Sequence, residues 1–242
     1  MAQPLTPEAH GEWLPQYDLE GPAEQSRATV FFRVLLAIPH FIVLIFVAIA
    51  ANLALIAGWF AALFTGRLPQ GIADFLTGYL AWSTRLNSYV YLMIDDYPPF
   101  SLEAHAYPVR IEVRPGELNR LAVLFRIFLM IPAVIVLNVV ASGWAFAGFV
   151  IWLVVLVKGR MPQALFEATA AVLRYTTRFG AYGMMLSSAY PKGLFGDEEG
   201  SGPRVTSTRP LVLGPPARNL VILFIVLGVL STIYDNYSRF QG

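Results

Sequence analysis

From Val30 to Phe64 the chain runs apolar for some 35 residues, with Arg33 and His40 as the only ionisable side chains. From Leu121 to Val157 it does so again, with Arg126 alone. A helix needs roughly 20 apolar residues, at about 1.5 Å each, to cross about 30 Å of hydrocarbon. Each run is therefore too long for one straight crossing and somewhat short for two. A third run, Leu220 to Ile233, is shorter, with Asn219 and Tyr234 at its ends. The composition agrees with a bilayer environment. Hydrophobic residues make up 56% of the chain and charged residues 14%, whereas soluble domains average about 25% charged. Mean hydropathy is +0.57. With 17 Lys and Arg against 16 Asp and Glu, and no Cys, the chain is neither a nucleic-acid clamp nor a disulfide scaffold. It reads as an integral membrane protein. The stretch before Arg27 carries five carboxylates and no basic residue, the reverse of a signal peptide's basic start, so residues 1–26 read as a retained polar tail.

The sequence repeats itself. Pro15 to Pro98 aligns with Pro108 to Pro191 without a gap, at the constant offset that carries Arg33 onto Arg126. Pro22, Glu24 and Arg27 fall on Pro115, Glu117 and Arg120; FRVLLAIP (Phe32–Pro39) falls on FRIFLMIP (Phe125–Pro132). Trp59 meets Trp152, and the turn Gly66-Arg67-Leu68-Pro69-Gln70 meets Gly159-Arg160-Met161-Pro162-Gln163. Arg85, Tyr89, Tyr97 and Pro98 meet Arg178, Tyr182, Tyr190 and Pro191. Matched apolar residues follow from composition, but matched Arg, Pro, Trp and Tyr at one offset mark a tandem duplication. The expected architecture is an all-α integral membrane protein: two tandem repeats of an apolar helical segment plus an amphipathic helix, and a C-terminal transmembrane helix. Repeat 1 covers 27–100, a linker 101–119, repeat 2 120–195, a flexible Gly/Ser/Pro-rich connection 196–217, and the last helix 218–236.

Two arrangements fit each long segment. One is a tight helical hairpin turning near Ala51-Asn52 and near Ser142-Gly143. The other is an interfacial helix ending at Ile38-Pro39, or at Ile131 in the second copy, followed by one crossing, because a residue preceding proline is pushed out of the helical region. After the GRLPQ turn, Phe75, Tyr79, Trp82, Leu86, Tyr89 and Met93 recur at helical spacing while Asp74, Gly78, Arg85 and Ser88 lie off that stripe. An aromatic stripe with a mid-helix Arg favours the membrane interface over the bilayer centre, where an unpaired Arg costs about 2.5–3.5 kcal/mol. Both turn regions are net basic, so both are expected in the cytoplasm. That requires an even number of crossings per repeat, places the N-terminus and the linker inside, and leaves the tail after the last helix outside. Arg110-Ile111-Glu112-Val113 alternates as a short strand would; the equivalent stretch before repeat 1 has no such alternation.

No HExxH, GxSxG, Walker A or GxGxxG motif is present, and His10, His40 and His105 are scattered. Asp95-Asp96 is the one adjacent acidic pair in the repeats, and the second copy carries serine there (Ser188), as a solvated turn would. The repeated arginines are the candidates. Arg33 and Arg126, near the start of each apolar run, suit either a phosphate or headgroup clamp or a snorkelling anchor. Arg67 and Arg160 have the same readings, plus a role in completing the turn. Arg85 and Arg178 are placed to pair with Asp74 or Glu167, or with lipid phosphate. Trp59, Trp152, Tyr89 and Tyr182 complete the set, the tryptophans as interface-belt residues.

The segment GWFAALFTGRLPQGIADFLTGYLAWSTRLNSYVYLMIDDYPPFSL, with the Ile38-Pro39-His40 before it, resembles a bacterial integral-membrane family defined as domain of unknown function 4389, whose members often carry the unit in tandem. The motif is the G-R-x-P turn, then Arg and Tyr on the next helix, then Tyr-Pro-Pro-Phe-Ser. The second copy departs from it, reading Tyr190-Pro191-Lys192-Gly193. The resemblance implies a multi-pass protein of the bacterial inner membrane and implies no activity. The expectation is a non-enzymatic protein without cofactor or metal: an accessory or scaffold subunit associating with another integral membrane protein or with itself, in contact with membrane lipids and not with nucleic acid. The alternative is a lipid-headgroup-binding or transport-related protein.

Overall fold

Residues 13–103, 107–197 and 208–241 are described by the computed structural model. The order is β1 (Gln16–Asp18), α1 (Arg27–Thr65), α2 (Gln70–Val90), β2 (Arg110–Glu112), α3 (Arg120–Leu124), α4 (Arg126–Lys158), α5 (Gln163–Gly183) and α6 (Pro215–Gln241). The fold is overwhelmingly helical, and α1, α4 and α6 are long and apolar enough to cross a membrane. Both copies of the turn have the same backbone. Gly66 and Gly159 take left-handed φ of 77° and 68°, and their N–H groups close onto Ala62 and Val155. A residue without Cβ takes that conformation without strain. Pro69 and Pro162 then launch α2 and α5.

The expected hairpin turns are absent. α1 passes through Ala51-Asn52 and α4 through Ser142-Gly143 as unbroken helix. The prolines do not break the helices either: Pro39 and Pro132 are both interior. The one interruption falls at Phe125, between α3 and α4. An apolar surround offers no water to compete for backbone groups, so the remaining helical hydrogen bonds outweigh the one that each proline removes. Beside Pro39, Tyr97 Oη donates to Leu36 O at 3.0 Å. Along α1 the inner face is continuous through Val30, Arg33, Ala37, His40, Ala51, Gly58 and Ala62. The outer face, including Phe46 at 68% exposure and Phe64 at 73%, is bare.

The repeats are related by a pseudo-two-fold axis, and the swapped contacts prove it. Gln25 N–H donates to Gly159 O at 2.7 Å, and the equivalent Leu118 N–H donates to Gly66 O at 2.8 Å. Trp59 Nε1 donates to Val123 O, and Trp152 Nε1 to Val30 O, both at 3.0 Å. Thr84 and its own copy Thr177 meet at 3.4 Å where α2 and α5 pack. The lead-ins pair as well: β1 and β2 are antiparallel, with Tyr17 opposite Ile111. A strand therefore forms before repeat 1 despite its lack of alternation, since the copy of the linker strand supplies its ladder partner.

The layers follow from that axis. The β ribbon lies against α5 and α2, with Tyr17 Oη 3.0 Å from Ser88 Oγ. α1 and α4 flank the α2–α5 pair on its other sides. The off-stripe residues of α2 are accordingly interior: Gly78, Arg85 and Ser88 are buried, because this helix is covered on two faces rather than one. α6 packs along α4 with a backbone contact at Gly143 and Gly228. A Cβ on Gly143 would lie 1.7 Å from Phe224 O, and one on Gly228 1.8 Å from Val139 O.

Candidate functional site

Each amphipathic helix ends in the same unusual turn. Among the described residues, Leu92 and Met185 are the non-glycine residues with positive φ, at 62° and 60°, a conformation costing a side-chain-bearing residue about 1–2 kcal/mol. Met93 N–H and Leu186 N–H then reach back to Ser88 O and Ala181 O. The reversal aims carbonyls inward, and an arginine meets them. Arg33 donates through Nη1 to Tyr89 O at 2.9 Å and to Ile94 O at 2.6 Å, and its guanidinium carbon lies 4.5 Å from the Tyr89 ring centre. Arg126 repeats this, donating to Tyr182 O and, at 3.4 Å, to Ser187 O, with the Tyr182 ring at 4.3 Å.

One difference separates the copies. Asp95 bonds Arg33 Nη2 at 2.8 Å and also accepts from Ser26 N–H and the Thr29 hydroxyl. At the matching position repeat 2 has Ser188, which is exposed. The adjacent acidic pair thus includes a clamp on a buried cation.

Arg85 and Arg178 do not meet Asp74 or Glu167. Arg85 donates to Ser101 O at 2.6 Å and Glu103 O at 3.2 Å, and Arg178 to Pro15 O at 3.0 Å and Lys192 O at 2.7 Å. Both fasten the chain leaving or entering a repeat. Asp74 and Glu167 instead accept from Gln70 and Gln163, each one turn earlier. The expectation that these arginines present themselves to lipid is corrected by their burial, and the same holds for Arg33 and Arg126. Tyr89 and Tyr182 are interior, and Trp59 and Trp152 tie one repeat to the other.

Two ion pairs escaped the repeat comparison. Arg174, wholly buried, binds Asp197 at 2.6 Å and Gln16 Oε1 at 2.9 Å; its counterpart is Ala81, so comparing copies hides it. Asp18 pairs with Arg209 at 3.0 Å. His40 accepts from Trp82 Nε1 at 3.0 Å and stacks on Phe100 at 3.7 Å. His10 and His105 lie outside the described residues. Among the described residues no group of three His, Cys, Asp or Glu could hold a metal.

Arg67 and Arg160 are the two candidate arginines left exposed. Beside Arg160 lies a cavity of about 310 Å³ lined by Pro22, Lys158, Arg160, Met161, Pro162 and Gln163.

The family model described as "Domain of unknown function (DUF4389)" matches twice, over residues 27–101 and 120–194. The chain belongs to the DUF4389 family. The two matched spans coincide with the halves that the pseudo-two-fold axis exchanges, so one DUF4389 unit is a long apolar helix, a Gly-Arg-x-Pro turn, an amphipathic helix and its left-handed exit. No curated protein and no solved structure matches the chain.

Proposed function

We propose that this DUF4389 protein is a non-catalytic, membrane-embedded scaffold or accessory subunit that associates, through its lipid-facing helices, with another integral membrane protein or a second copy. One observation carries the reading. The inward-facing arginines (33, 85, 126, 174 and 178) are engaged by the chain's own carbonyls, carboxylates and rings. The outward faces of α1, α4 and α6 are apolar, among them Phe46, Phe149 and Ile233 at 59–71% exposure. Such an interior holds the fold, and the large apolar exterior is what a bilayer or a membrane partner covers.

The pseudo-two-fold axis supports an orientation. Asp18, Arg110, Glu112 and Arg114 sit on or beside the ribbon through which the axis passes. Leu118, beside the end of α1, is six residues from that ribbon; Gln25, beside the end of α4, is seven from it. Seven extended residues reach at most about 25 Å. If the axis lay in the membrane plane, the turns would sit in opposite leaflets and this charged ribbon at mid-bilayer, where a charged side chain costs about 2.5–3.5 kcal/mol. An axis along the membrane normal puts the ribbon at the surface, α2 and α5 at the interface, and both Gly-Arg-x-Pro turns on one side, the cytoplasmic one by their basic charge. α1 and α4 then enter the bilayer from that side without crossing it, and α6 makes a crossing that leaves the C-terminal tail outside.

Affinity purification of the full chain in native nanodiscs, with chemical cross-linking and mass spectrometry, tests the association. A reproducible stoichiometric membrane-protein partner or homo-oligomer supports it, and a strictly monomeric particle without partner contradicts it.

A further inference from the structure

We propose that the cleft at the α4–α5 turn is a binding site for the phosphate of an anionic phospholipid, held by Lys158 and Arg160. The inference rests on the membrane reading above and goes beyond it, by assigning a ligand class to two residues of one repeat only. Lys158 is the last residue of α4 and Arg160 follows the left-handed Gly159. Both are exposed, and among the described residues neither side chain has an ion pair or hydrogen bond. Here they contrast with the five interior arginines, each of which donates to acceptors of the chain itself.

The walls are fixed. Met161 is 1% exposed, Pro162 starts α5, and Pro22 arrives on the other repeat's lead-in, pinned by Gln25 N–H on Gly159 O at 2.7 Å. A third cation stands at the same end: Arg27 donates to Val157 O at 3.3 Å. Of the nearby carboxylates, Glu167 is taken by Gln163 Nε2 at 2.8 Å and Gly214 N–H at 3.1 Å. Glu24, on the lead-in, makes no ion pair with either cation.

The approach to the cleft is apolar, which selects a lipid over a soluble phosphate. Phe149, Leu153 and Val157 recur every fourth residue on the outer face of α4, at 71%, 45% and 64% exposure. Phe149 and Phe31 flank Trp152, with ring centres 5.8 and 6.0 Å from it. A phosphodiester held at Lys158 and Arg160 would lay an acyl chain along that stripe. Repeat 1 lacks the pair. Thr65 replaces Lys158, and its hydroxyl is turned onto Ala61 O at 2.7 Å and Arg67 O at 2.9 Å. The site is therefore single, and Arg67 serves as an internal control.

The test uses the full chain in nanodiscs of phosphatidylcholine with a graded fraction of phosphatidylglycerol, followed by native mass spectrometry of the lipid retained in mild detergent. Wild type is expected to retain one phosphatidylglycerol in preference to phosphatidylcholine. A surface cation contributes about fivefold to anionic-lipid affinity, so Lys158→Ala with Arg160→Ala should weaken retention roughly thirtyfold, and Arg67→Ala should leave it unchanged. Equal retention by the double variant, or an equal loss in Arg67→Ala, overturns the site. Displacement of the lipid by excess inorganic phosphate overturns the lipid assignment, and persistence supports it. Failure of wild type to enter nanodiscs tells against the membrane reading instead, so the two failures are distinguishable.

Discussion

Trp152 Nε1 donates to the carbonyl of Val30 at 3.0 Å, across the whole first repeat, and Trp59 makes the mirror contact to Val123. Each duplicated unit is thus closed by a side chain of the other. Trp59→Phe and Trp152→Phe should each lower stability by about 1 kcal/mol, the worth of a part-buried hydrogen bond. Thermal unfolding in detergent should show two similar decreases in Tm.

The buried cations predict an asymmetry between the copies. Arg33 has Asp95 at 2.8 Å, whereas Arg126 has carbonyls and a ring. Asp95→Asn should destabilise the fold by about 1.5–3 kcal/mol, the range for hydrogen bonds to charged groups. Ser188→Asp should instead raise Tm by giving Arg126 the missing counter-charge. Unfolding curves of the two variants check both signs.

The α4–α6 contact has no room for a methyl group. Gly143→Ala or Gly228→Ala should cost about 1–3 kcal/mol by forcing the helices apart, because the obstructing atoms are backbone. Limited proteolysis between α5 and α6 should accelerate in either variant while the α1–α2 half stays protected.

Alkaline pH should act through the ribbon and the linker. Burial is the main cause that pushes the Tyr17 phenol well above its ordinary value, with Asp18 adding to it, and burial with Asp96 does the same for Tyr107. The native state therefore holds these protons more tightly than the unfolded chain does. Stability should be constant below the unfolded value of about 10 and fall as pH rises past it. Tyr17→Phe should flatten that fall in a pH-dependent unfolding series.

Much of the fold is written in the chain. Repeated Trp, Arg, Pro and Tyr mark the duplication, and the Gly-Arg-x-Pro turns and apolar runs mark the helices, because each comes from a local rule of backbone or solvent. What escaped is pairwise. Reading Ser142-Gly143 as a turn missed that a glycine inside an apolar helix also permits another helix to approach. Reading Arg85 and Ser88 as an outward face missed that the second copy and the ribbon cover it. Comparing copies also discards whatever differs between them, which is how Arg174 went unremarked. Partners hundreds of ångströms of contour away leave no periodicity.

The central claim, two units inserted from one side, is tested most directly by labelling. The chain contains no cysteine, so Arg67→Cys and Arg160→Cys each carry a single thiol at an exposed turn. In sealed inverted vesicles a membrane-impermeant maleimide should label both equally, and in right-side-out cells neither. Labelling of one from each face would contradict an axis along the membrane normal.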